Sequence, residues 1–143
     1  MSADPGPRGR SPEGARRRWI SLALLVAYAT ALFVGIGLDP IRDLERAGGG
    51  AATGWDKALH LIAFLVLGLL CAAVTLTFLE ARLLRVTGLA LLIGGTYASV
   101  HEGSQAWLPG FAFNPADLVA NLLGVLLGVL FAVVLRGVVR GGR

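Results

Sequence analysis

The chain of 143 residues has a single cysteine, Cys71, so an intramolecular disulfide and a cysteine-based metal cluster are both excluded. It has no Gly-x-Ser-x-Gly turn and no glycine-rich phosphate loop, and Ser104 stands in no nucleophile signature. Those absences remove the commonest serine-hydrolase and nucleotide-binding chemistries. The formal net charge is +4, but the arginines lie in the tails and at the ends of apolar blocks. No Lys/Arg stripe with interleaved aromatics is present, so nucleic acid is not an expected partner. Charged residues make up only 15% of the chain, and they are swept out of long stretches.

Those stretches are the main feature. Hydrophobic residues reach 55%, above the roughly 45–50% of soluble domains, and they come in blocks of membrane-spanning length. Trp19 to Leu38 carries no charge. A cleaved signal peptide would have a shorter apolar core and a small-x-small site, whereas Asp39-Pro40-Ile41-Arg42 follows here. Ala58 to Leu79 contains His60 and Cys71 as its only ionisable side chains. The third block starts near Leu83 or Val86 and stays apolar only to Val100. Carrying it to Leu108 restores a spanning length and brings His101, Glu102 and Gln105 into its end. Pro115 to Leu135 contains Asp117 and Asn121. The expectation is an all-α integral membrane bundle with helices at about 19–38, 58–79, 84–107 and 115–135. A disordered basic tail is expected over residues 1–18, which are rich in Pro, Gly, Ser and Arg, and a second short tail over 137–143.

The positive-inside rule orients the bundle. With both termini in the cytoplasm, the inner side holds Arg8, Arg10, Arg16, Arg17, Arg18, Arg82, Arg85, Arg136, Arg140 and Arg143, and the outer side only Arg42, Arg46 and Lys57. Trp55 and Trp107 then fall at the outer interface and Trp19 at the inner one, where indole rings prefer to sit. The Ala/Gly/Arg-rich composition suits a bacterial cell (plasma) membrane, with the lipid bilayer as the first partner.

Small residues recur every fourth position in two blocks, as Ala23, Ala27, Ala31 and Gly35 and as Ala116, Ala120, Gly124, Gly128 and Ala132. Such grooves let helix backbones approach closely in lipid. They predict contact between the first and last helices, or alternatively a homodimer through Gly124/Gly128.

The polar residues form a pattern of their own. Asp56 and His60, Glu102 and Gln105, and Asp117 and Asn121 each lie three or four apart, one turn along one helical face. In this topology all three pairs lie at outer helix ends. Ionisable residues in a membrane are costly and face the bundle interior or a water-filled cavity. Part of the pattern has a purely structural reading. Thr53-x-x-Asp56 resembles a capping box, and Asn114-Pro115-x-Asp117 places Asn114 as N-cap and Pro115 in the first turn. Capping does not account for His60 or Asn121, a turn deeper. Nor does it account for Glu102, at a helix C-terminus where the dipole disfavours an anion. Glu102 therefore calls for a partner: His60, His101, Lys57 or a ligand.

The spacing matches no metal motif, and no metal and no cofactor are expected. A histidine beside Glu102 or Asp117 has the makings of an acid/base pair. A polar pocket for a lipid headgroup or envelope sugar makes fewer demands.

The same residues resemble the VanZ-like family of bacterial membrane proteins. The resemblance covers roughly Trp55 to Leu130. It rests on Asp56-Lys57-Ala58-Leu59-His60 continuing to Leu67-Gly68, on Glu102-Gly103-Ser104-Gln105 continuing to Leu108-Pro109-Gly110, and on Asp117-Leu118-Val119-Ala120-Asn121 continuing to Gly124 and Gly128. It implies a four-helix protein of the cell envelope, with Asp56, Lys57, His60, Glu102, Gln105, Asp117 and Asn121 as site residues. The founding member is linked to resistance to the glycopeptide teicoplanin; the likeness supports the architecture better than it supports that phenotype. Family members often carry an arginine soon after the Pro-Gly of the outer loop, where Phe111, Ala112 and Phe113 stand here. The expected role is binding of a polar headgroup, a lipid-linked envelope precursor or an envelope partner in an outward-facing pocket. One alternative is a membrane enzyme with His60 as acid/base, Glu102 and Asp117 orienting it, and Asn121 and Gln105 holding a lipid-linked substrate. A small transporter is the other, disfavoured because the polar residues do not continue through the bilayer.

Overall fold

The structure is a computed structural model that describes residues 12–35, 55–79, 82–108 and 112–142. Residues 1–11, the expected outer loop up to residue 54, and Pro109 to Phe111 of the second loop lie outside the described residues, as does Thr53 with its capping box. The described chain forms α1 (Pro12–Gly35), α2 (Trp55–Phe78), α3 (Leu83–Gln105) and α4 (Pro115–Gly141). Each helix is long and apolar enough to cross a membrane, which gives an all-α, multi-pass architecture. At 1.5 Å per residue the shortest spans ~35 Å, against a hydrocarbon core of about 30 Å.

The helix limits correct both tails. Residues expected to be disordered up to Arg18 are helical from Pro12. Proline suits a first helical position, Glu13 sits favourably at the positive helix end, and Glu13 pairs with Arg17 one turn on at 2.9 Å. At the other end α4 runs past Leu135 to Gly141, with Arg140 complementing the dipole in the last turn. The helix end of α3 does include His101, Glu102 and Gln105. Asn114 caps α4 as its sequence suggests, accepting from the Ala116 N–H at 3.0 Å ahead of Pro115.

Interhelical bonds fix the directions of the helices. Arg18 Nε donates to the Thr77 carbonyl at 2.9 Å, which joins the start of α1 to the end of α2. Tyr28 donates to the Ala63 carbonyl at 2.9 Å near mid-span, and Tyr97 of α3 donates to the Ala29 carbonyl. The bundle therefore runs up-down-up-down, with α1 and α3 parallel to each other and α2 and α4 parallel to each other. One end carries Arg16, Arg17, Arg18, Arg82, Arg85, Arg136 and Arg140, and the other carries Asp56, Lys57, Glu102 and Asp117. We call these the basic and the polar end. Trp19 lies at the first, and Trp55 and the almost fully exposed Trp107 at the second.

The closest packing is between α2 and α4. A Cβ on Gly124 would collide with the Leu61 carbonyl, and one on Gly128 with the Leu65 carbonyl. This seam corrects two expectations. The small stripe of α4 packs on α2 rather than α1, and Gly124 and Gly128 are buried inside the chain, so they are not available to a second copy. On α1, Ala23, Ala27 and Ala31 are exposed, while Leu25, Tyr28, Ala29 and Leu32 pack against the core. Tyr28 and Tyr97 explain the choice, because each directs a hydroxyl to a neighbouring backbone and so selects the face turned inward.

The core is small: Phe64, Leu67, Cys71, Ala90, Ala98, Val125 and Val129 are buried, while Leu24, Leu92, Phe131 and many other large apolar side chains lie outside. In water that distribution would be a liability. In lipid the outer apolar surface is solvated by acyl chains, and close backbone packing and interhelical hydrogen bonds hold the bundle together.

A buried polar network at one end of the bundle

The start of α2, the end of α3 and the start of α4 converge at the polar end, and all seven expected site residues lie there. Glu102 is wholly buried. Its Oε1 accepts the backbone N–H of Asn114 at 2.9 Å, and its Oε2 accepts Gln105 Nε2 at 3.2 Å and Asn121 Nδ2 at 3.5 Å. The carboxylate that α3 leaves at its unfavourable end is thus held by amide donors from α3, α4 and the residue that caps α4. The expected partners were His60, His101, Lys57 or a ligand; none of the three side chains bonds Glu102, and these amides take their place. Asn114 joins the site through its backbone N–H, a donor that no side-chain pattern could reveal.

Asn121, also wholly buried, carries the network to α2: its Oδ1 lies 2.9 Å from His60 Nδ1. The donors sort themselves along this path. An ionised Glu102 only accepts, so Asn121 turns its NH2 to Glu102 and its carbonyl to His60. His60 then donates from Nδ1, and in its neutral form the lone pair is on Nε2. Glu102 is in this sense a positioning group for the His60 imidazole, acting through Asn121.

A second set of contacts lies one turn nearer the end. Lys57 sits between two aspartates, pairing with Asp56 at 2.5 Å and with Asp117 of α4. Both aspartates lie in first turns, where helix dipoles favour them, but the lysine makes them a bridge between parallel helices. The Lys57 side chain is 29% exposed, the most accessible member of the triad. Asp56 Oδ1 is buried without a hydrogen-bond partner.

His101 does not join this network. It is buried toward α1, with Nε2 3.4 Å from the Leu32 carbonyl and its ring edge-on to Phe64 at 5.2 Å. It is the residue next to Glu102, and the 100° helical turn from one residue to the next sends the two side chains to different neighbours.

Among the described residues, no group of histidine, cysteine and carboxylate side chains is arranged to hold a metal ion. The arrangement has spare acceptors instead: two aspartates against one ammonium, an unpartnered Asp56 oxygen, and the Nε2 of a neutral His60. Its complement is a group that brings N–H or O–H donors.

Comparison of the chain with protein-family models, curated proteins and solved structures finds no match in any of the three.

Proposed function

We propose that this chain is a VanZ-like integral membrane protein of the bacterial cell envelope. It binds the donor-bearing headgroup of a lipid or lipid-linked envelope precursor at its polar end. The observation that carries the reading is the surplus of acceptors around a partly exposed Lys57. An ammonium or a sugar hydroxyl completes such a site, whereas a bare phosphate meets two carboxylates beside the one ammonium. The basic end faces the cytoplasm by the positive-inside rule, so the site opens outward. A link to glycopeptide resistance rests on the family resemblance alone.

The test uses the full chain in nanodiscs of phosphatidylcholine doped with phosphatidylethanolamine, read by native mass spectrometry. The two headgroups differ in having or lacking ammonium N–H donors. Preferential retention of phosphatidylethanolamine, lost in Asp117→Asn and in Asp56→Asn, is the expected result. Equal retention of both lipids, or a preference unchanged by the two substitutions, rejects the reading for amine headgroups. Repeating the titration with a glycosylated lipid decides the sugar form in the same way.

A second reading is favoured by one observation, the 2.9 Å contact between His60 Nδ1 and Asn121 Oδ1. An imidazole whose Nδ1 proton is held by an amide carbonyl offers Nε2 as a general base. A membrane enzyme acting on a lipid-linked substrate would use it so, and His60→Gln would then abolish turnover while leaving headgroup retention in place.

A further inference from the structure

At the basic end, beyond the glycine seam, α2 and α4 no longer touch closely, and an apolar groove of about 570 Å³ opens between them. Leu70, Ala73 and Leu76 form one wall and Ala132 and Leu135 the other, and Arg136 and Arg140 stand one turn apart on the α4 side. Its volume lies within the roughly 300–1,000 Å³ typical of ligand sites. Two cations spaced four apart on one helix repel each other, and neither pairs with a carboxylate among the described residues. An apolar slot with an unneutralised cationic pair at its membrane-surface end is complementary to one kind of molecule. We infer that the groove binds an anionic phospholipid, its acyl chain along Ala73 and Ala132 and its phosphate between Arg136 and Arg140. Basic pockets between transmembrane helices recognise anionic headgroups on this principle.

The site is independent of the polar network, which lies at the opposite end of the same two helices. Gly124 and Gly128 bring the backbones together, and the groove lies past Gly128, with Leu135 and Arg136 among its lining residues.

The experiment titrates the full chain in detergent with phosphatidylglycerol or phosphatidylcholine of identical acyl chains, read by native mass spectrometry. Wild type should retain phosphatidylglycerol over phosphatidylcholine. Arg136→Gln or Arg140→Gln should each weaken that retention about fivefold, from about 1 kcal/mol per surface cation. Arg82→Gln with Arg85→Gln, at the same end but outside the groove, should leave it unchanged. Ala132→Phe fills the slot and should lower retention of both lipids. Equal binding of the two lipids, equal loss on removing either arginine pair, or a protein dimer in place of bound lipid would each overturn the proposal.

Discussion

Replacing Glu102 tests the polar network most severely, because two substitutions predict different things. Glu102→Ala leaves three donors facing a cavity. The bonds at 2.9 and 3.2 Å are well formed, and each donor left unsatisfied costs about 1–3 kcal/mol. The third, at 3.5 Å, adds little. Asn114 is only half-buried, so water can take over part of its bond. The expected loss is therefore about 2–4 kcal/mol in equilibrium unfolding from mixed micelles. Glu102→Gln keeps the shape and one acceptor, which stays with the Asn114 N–H. Its NH2 now faces the amide groups of Gln105 and Asn121, and both satisfy it by flipping. The flipped Asn121 presents NH2 to His60 Nδ1, which must become an acceptor, and the imidazole proton moves to Nε2. Stability should fall by only about 1 kcal/mol, yet the imidazole ¹⁵N spectrum should switch tautomer, with His101→Gln assigning the two histidines. A Glu102→Gln protein that keeps the Nδ1 proton on His60 would refute the relay, and a Glu102→Ala loss under about 1 kcal/mol would refute the burial argument.

Gly128→Ala places a methyl against the Leu65 carbonyl and should cost about 1–3 kcal/mol as overpacking, whereas Ala27→Leu on the exposed face of α1 should change detergent-resistant stability by no more than about 0.5 kcal/mol. Tyr97→Phe removes the bond to the Ala29 carbonyl and should cost about 0.6 kcal/mol, the usual size for such bonds in membranes; a double-mutant cycle with Tyr28→Phe measures whether α1 is held cooperatively. In a Cys71→Ala background, a cysteine at Ala106 should react with an impermeant thiol reagent from outside intact cells and one at Gly142 should not; the reverse pattern would invert the assigned topology.

The four spans were legible because lipid imposes a coarse rule: apolar residues must persist for the width of a bilayer, and charge must leave. The common depth of the polar pairs was legible, since Asp56, Glu102 and Asp117 occupy corresponding ends in any alternating topology. Rotation about each helix was not. A stripe such as Ala23, Ala27, Ala31 has the same spacing as Ala120, Gly124, Gly128, yet one faces out and the other forms the tightest contact in the bundle. The difference lies in what surrounds them. A hydroxyl at Tyr28 or Tyr97 selects the inward face of α1 by finding a specific carbonyl, and that distance exists only once the helices are assembled. The limits of α1 and α4 escaped for another reason: arginines at a helix end were read as tail composition, although a first turn with Glu13 and a last turn with Arg140 suit the helix dipole.

The seam and the polar network act as one construction. Leu61 opposes Gly124 and Leu65 opposes Gly128, and toward the polar end the same two helices set His60 against Asn121, then Lys57 with its neighbour Asp56 against Asp117. The two helices run parallel, so both present their N-terminal turns at this end, where carboxylates are favoured. Two aspartates brought side by side would repel, and Lys57 between them removes that cost. Antiparallel α3 contributes the opposite pole: its C-terminal end would expel Glu102, but the N–H of Asn114 and the amides of Gln105 and Asn121 replace the hydration it loses. Backbone contact at the glycines is what brings His60 within reach of Asn121, since a side chain at either position would move α4 away from α2 and lengthen the 2.9 Å bond between them. The glycines are thus part of the site, although they touch none of its polar atoms.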